Sequence, residues 1–157
     1  MNFAGEHLIR SPKLSVWYAI NDPEVLRDAI PGCQELHKKS ETEFDAVAQV
    51  KVGPLKANFK GSVRLEDIQM PDRCVIVGEG QGGVAGFAKG SAQVELIETP
   101  EGTLIRYNVH TAIGGKLAQI GSRVVQGVAT RLTQQFFENL VARIEPAADG
   151  QLIPSET

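Results

Sequence analysis

CVIVGEGQGGVAGFAKGSAQVEL, residues 74–96, is the stretch whose reading decides the fold. It holds six glycines, and Gly78, Gly80 and Gly83 spell G-x-G-x-x-G behind an apolar run. A dinucleotide fingerprint needs strand, glycine turn and helix in that order, because the pyrophosphate rests on the helix N-terminus. Here the glycines lead into GFAKGSAQVELIE (86–98), which alternates apolar and polar residues as a strand does. Lys89-Gly90-Ser91 also lacks the order of a phosphate-loop lysine. The stretch reads as two strands, not as a nucleotide cradle.

Parity extends this reading outward. In RCVIVGEGQGG the polar Arg73, Glu79 and Gln81 point out, so Cys74, Ile76, Gly78, Gly80 and Gly82 point in. In the next strand Lys89, Ser91, Gln93 and Glu95 point out, leaving Ala88, Gly90, Ala92, Val94 and Leu96 inside. Upstream, Phe44, Ala46, Ala48, Val50 and Val52 share a face. After Gly53-Pro54 the parity flips to Leu55, Ala57, Phe59, Val63 and Leu65, as a hairpin requires. TLIRYNVHTAI (103–113) turns Ile105, Tyr107, Val109, Thr111 and Ile113 one way. FAGEHLIR (3–10) sets Phe3, His7 and Ile9 against Glu6 and Arg10, and CQELHKKSE is a weak strand. The pattern is an antiparallel meander of about seven strands.

Ser11-Pro12 reads as N-cap and first residue of a short helix through VWYAI; Asp22-Pro23 opens a second, EVLRDAI, which Pro31-Gly32 stops. Ile30-Pro31-Gly32 is equally a plain helix stop or the lip of a cavity. Residues 114–144 read as one long helix with Leu117, Ile120, Val124, Val128, Leu132, Phe136, Leu140 and Ile144 as its apolar stripe. Some 29 residues at about 1.5 Å each reach roughly 44 Å, enough to cross a sheet. Gly121 and Gly127 weaken it by roughly 1 kcal/mol each. The expected organisation is one α+β domain over 1–145, followed by a flexible acidic tail over 146–157.

Bulk properties remove several functions. The chain has 157 residues, 42% hydrophobic and 22% charged, with a formal charge of −3, which gives nucleic-acid binding little electrostatic support. No apolar run approaches the roughly 20 residues of a membrane span, and no secretion signal opens the sequence. The expectation is a cytoplasmic protein with Cys33 and Cys74 free and buried. His7, His37 and His110 show no metal-binding spacing, and there is no G-x-S-x-G elbow, so neither a metal site nor a catalytic set is expected.

Glycine and alanine on adjacent inward faces leave space beneath the sheet that its own side chains do not fill. The glycines serve sheet bending alone, or bending together with a cavity. Mostly medium-sized Val, Ile and Leu on the facing helix tilt the balance toward a cavity.

The order strand, two short helices, curled sheet and long C-terminal helix resembles the helix-grip fold of START-like and birch-pollen-allergen-like proteins. DPEVLRDAIPGC (22–33), VGPLKANFKGSVRLEDI (52–68), GEGQGGVAGFAKGSA (78–92) and GGKLAQIGSRVVQGVATRLTQQFF (114–137) resemble the CoxG-like family of carbon monoxide dehydrogenase proteins, over about residues 1 to 145. The resemblance implies an accessory protein of a molybdenum-containing dehydrogenase. It implies an apolar, quinone- or lipid-like ligand between sheet and helix, no cofactor, and contact with the inner face of the membrane. Some members carry a long C-terminal extension suited to membrane attachment, whereas this chain ends in a short acidic tail.

The expected cavity lining is His7, Phe44, Ala46, Ala48, Phe59, Ile76, Gly78, Gly80, Ala88, Gly90, Ala92, Tyr107, Val109, Thr111, Ile120, Val124, Val128 and Leu132. His7, Tyr107 and Thr111 supply the polar contacts, unless each is a buried group satisfied by backbone or water. Two other functions fit the same fold. One is a cyclase-, dehydratase- or hydrolase-type enzyme using polar cavity residues; the other is an assembly factor docking by an exposed apolar patch.

Overall fold

The computed structural model describes residues 1–145; the expected acidic tail over 146–157 lies outside the described residues. The strands are β1 (Asn2–Ile9), β2 (Cys33–Lys38), β3 (Glu43–Val52), β4 (Leu55–Gln69), β5 (Arg73–Gln81), β6 (Phe87–Thr99) and β7 (Gly102–Gly114). They form one seven-stranded sheet in the order β1-β7-β6-β5-β4-β3-β2, with every neighbouring pair antiparallel. Helices α1 (Lys13–Ile20), α2 (Pro23–Ala29), α3 (Lys116–Gln119) and α4 (Ser122–Ile144) complete it.

Val52 pairs with Leu55 across a two-residue turn in which Gly53 takes φ 58°, a conformation that glycine adopts without penalty. The small inward residues meet across strands: Gly78 faces Gly90, Gly80 faces Ala88, and Ile76 faces Ala92. The β4–β5 ladder slips between Glu66 and Gln69, where Asp67 adopts φ 48°; this irregularity is of the kind that sharpens twist. The glycine stretch itself turns through one 3-10 turn, Gly83–Ala85, and no α-helix follows.

Asp22 caps α2 as expected, its Oδ1 accepting from the Glu24 N–H at 2.9 Å, with Pro23 first in the helix. Two helix expectations are corrected. Pro12, extended at ψ 150°, is itself the N-cap of α1, and Ser11 makes no side-chain cap. The Ser11 carbonyl instead accepts from the Thr103 hydroxyl at 2.8 Å, tying the helix entry to β7. The long helix is also broken. Gly121 sits at φ 111°, outside any helical region, so the one-turn α3 ends before α4 begins.

Successive hairpins place the β3–β4 turn, the β5–β6 turn and α3 at one end of the sheet. The β4–β5 and β6–β7 turns, the start of α1 and the end of α4 lie at the other. The larger core, including Ile9, Val16, Trp17, Leu96, Ile105, Phe137 and Leu140, fills the second end. At the first end the buried cluster is only Val52, Leu117, Val125 and Val128. Glu145, buried at the end of α4, accepts from the Arg10 backbone N–H at 2.8 Å, joining helix and β1.

Candidate functional site

Between the sheet and α4, at the sparsely filled end, lies a cavity of about 360 Å³. Its sheet wall is Val50, Val52, Phe59, Gly78, Gly80, Ala88, Gly90, Thr111 and Ile113, with Met1 beside them. Leu117 of α3 and Val125, Val128, Ala129 and Leu132 of α4 form the opposite wall. Glu79 and Lys89 also border it, yet they are exposed and face each other on odd positions of β5 and β6. The glycines flanking them leave the main chain uncovered toward the cavity.

The glycines divide into three uses. At Gly61 an added Cβ would strike the Glu79 backbone, so two strands approach too closely for any side chain. Gly80 and Gly82 lie under the Phe59 ring, which takes up the space they leave. Gly78 faces the open cavity, where a Cβ would meet nothing nearer than 3.8 Å. Bending and hollowness are therefore both built into the same strands.

Of the eighteen residues expected to line a cavity, Phe59, Gly78, Gly80, Ala88, Gly90, Thr111, Val128 and Leu132 lie on this one. Ala46 packs instead around Phe44, which is fully buried with Leu26 and Leu36 in a separate core under α2. Ile76, Ala92 and Val109 pack against the larger core, and Ala48 lies beside Cys33 at the β2 edge. Ile120 packs on the small cluster without bordering the cavity. Val124 is a correction: it is 42% exposed on the outer side of α4, and Val125 takes the inward place. Met1, Val50, Val52, Ile113, Leu117, Val125 and Ala129 were missed. The alternation of β3 and β7 had already put Val50, Val52 and Ile113 on the inward face.

His7 and Tyr107 lie deeper, in an aromatic stack rather than on the cavity wall. The His7 and Phe137 ring centroids are 4.8 Å apart, and those of Tyr107 and Phe137 are 4.5 Å apart. Burial raises the Tyr107 pKa above its usual value, because desolvation disfavours the phenolate. Among the described residues the His7 side chain has no hydrogen-bond partner, and no acid–base pair meets inside the cavity. Apart from the outward-facing Glu79 and Lys89, the polar side chain on the wall is Thr111, which donates its hydroxyl to the Met1 carbonyl at 3.2 Å. Cys74 is buried and its thiol is pushed up to about 11 by desolvation, whereas Cys33, expected buried, is half-exposed; neither is disulfide-bonded. No group of His, Cys, Asp and Glu that could hold a metal occurs among the described residues.

The fold recurs in solved structures. A conserved protein from Geobacillus kaustophilus superimposes with TM-score 0.86 at 28% sequence identity, covering 94% of this chain and 97% of that one. A protein from Rhizobium leguminosarum matches at TM-score 0.70 and 17% identity, covering 92% and 94%. Ara h 8.0201, a Bet v 1-like protein, matches at TM-score 0.65 and 18% identity, covering 92% and 97%. No curated protein sequence matches the chain. A curled antiparallel sheet gripping a long C-terminal helix is the helix-grip fold, START- and Bet v 1-like. Within that class the chain belongs to the carbon monoxide dehydrogenase CoxG family, whose profile matches residues 5–145. That family is one of accessory subunits. No helix among the described residues is long and apolar enough to cross a membrane.

Proposed function

We propose that the protein carries an apolar, quinone- or lipid-like molecule in the cavity and serves as an accessory factor to a molybdenum-containing, carbon monoxide dehydrogenase-type enzyme. The observation that carries the reading is the sheet wall of Gly78, Gly80, Ala88 and Gly90, which maintains an apolar hollow where a core would normally close. An empty apolar space forgoes contact energy, and a guest of matching shape restores it. The partner enzyme follows from the family's name, and transient contact with the inner face of the membrane would give access to an apolar guest.

Native mass spectrometry of protein purified from its host should show a co-purifying apolar molecule. Ala88 lies in register with Gly80 and Ile113, so Ala88→Leu puts a branched side chain into the hollow. That variant should fold and lose ligand occupancy at least tenfold. Undiminished occupancy would place the guest elsewhere and end the carrier reading.

A further inference from the structure

A second depression lies against the cavity's helical wall. It is lined by Lys51 of β3, Gly53 of the hairpin turn, and Arg123, Val124, Gly127, Val128 and Arg131 of α4. Val128 lines both spaces, so the groove and the cavity adjoin at this residue. Arg123, Gly127 and Arg131 follow one another at four-residue spacing along one helix face. Gly127 leaves the groove open, since a Cβ there would meet nothing within 4 Å.

The charge around this groove is one-sided. No carboxylate lines it, and Lys51, Arg123 and Arg131 take part in none of the ion pairs among the described residues. Lys51 is moreover directly opposite Lys56 across the β3–β4 hairpin, a like-charge pairing that disfavours the strand pair. Some cations elsewhere are matched, as in Lys13–Asp72, Arg106–Glu6 and Arg143–Asp28. Lys56, Lys60, Lys89 and Lys116 also stand outside every ion pair among the described residues, so the groove is set apart by its two arginines and a lysine lining one depression. The cavity has the reverse character: Glu79 and Lys89 border it on outward-facing positions, and the polar side chain on its inward wall, Thr111, is already engaged with the Met1 carbonyl. An ionised head group inside would be stripped of water with nothing to pair it.

We infer that the groove receives the anionic head of an amphiphile whose hydrocarbon chain occupies the cavity. This inference rests on the apolar-ligand reading of the cavity and adds a charged head site to it. The carboxylate, sulfate or phosphate head pairs with Arg123, Arg131 and Lys51, and the exposed methyls of Val124 cover the first carbons of the chain.

The test compares dodecanoate with dodecan-1-ol by titration calorimetry below their aggregation concentrations, in 20–50 mM salt (roughly the low-screening range). Wild-type protein should bind dodecanoate at least about tenfold more tightly than the alcohol. Arg123→Gln/Arg131→Gln, both on exposed positions, should erase that preference and leave alcohol binding unchanged. Equal affinity for acid and alcohol in the wild type would overturn the head site while leaving the apolar cavity standing. Binding of neither compound would remove the cavity reading as well. Inorganic phosphate is the third arm: if it binds the groove as tightly as dodecanoate does, the groove is a free-anion site and the amphiphile proposal falls.

Discussion

At Gly61 a methyl group has nowhere to go, because it would drive into the Glu79 carbonyl of the adjoining strand. Gly78, two residues from the strand position opposite it, meets only Ser62 O at 3.8 Å and Val63 Cγ2 at 4.0 Å. Gly61→Ala should therefore cost about 2 kcal/mol or more, the scale of an overpacked interior. Gly78→Ala should be neutral or gain about 0.5 kcal/mol, since alanine loses less chain entropy in a strand. Urea denaturation of the two variants checks the contrast, and equal losses would contradict the separate uses assigned to these glycines. Gly80 and Gly90 are intermediate: a Cβ would lie 3.3 Å from Phe59 and 3.0 Å from the His110 carbonyl. Leucine at either position is thus expected to disturb the sheet as well as fill the hollow.

The helix elements show backbone conformation and free space acting apart. Neither Gly121 nor Gly127 has any atom within 4 Å of an added Cβ. Gly121, however, holds φ 111° at the α3–α4 break, while Gly127 is inside α4. Gly127→Ala should stabilise the protein by about 0.5–1 kcal/mol through helix propensity alone. Gly121→Ala should cost about 1–3 kcal/mol through backbone strain. Thermal or urea unfolding decides this; a gain at both positions would mean that the helix runs continuously through Gly121. The same segment marks where sequence reading stopped. Strand parity was legible because each inward residue has a single neighbour set, two positions apart, and the Gly53-Pro54 flip left one register. The phase of α4 was not. A strict four-residue series advances about 40° per step, so Val124, Val128, Leu132, Phe136 and Leu140 wind around the axis. The pairs Val124-Val125 and Phe136-Phe137 offer two phases at each end, and only packing chooses Val125 and Phe137. The cavity followed from small inward residues, but its depth did not, since the His7–Phe137–Tyr107 stack depends on where α4 docks.

On the scale of the molecule, cohesion is unevenly divided between the two ends of the sheet. Trp17, Ile9, Ile105, Phe137 and Leu140 interlock at one end, where Glu145 also ties α4 to the Arg10 backbone. At the other, four buried side chains and partly buried neighbours surround a hollow. Local opening is governed by buried apolar contact, so the cavity end should open at lower free energy than the far end. Amide hydrogen exchange should thus be faster in Gly78–Gln81, Phe87–Gly90 and α3 than in Cys74–Ile76 and Val94–Leu96, although these segments belong to the same ladders. Addition of dodecan-1-ol should slow exchange mainly at the cavity end. A guest binding only the closed form at about 100 times its Kd contributes about 2.7 kcal/mol to that form, a slowing of roughly a hundredfold where opening exposes the cavity. Protection uniform along β5 and β6, unchanged by the alcohol, would mean that the hollow is neither a weak point nor a receptor. Protection that rises at the cavity end alone would connect the glycine-rich, sparsely packed half of two strands to the uptake and release of a guest.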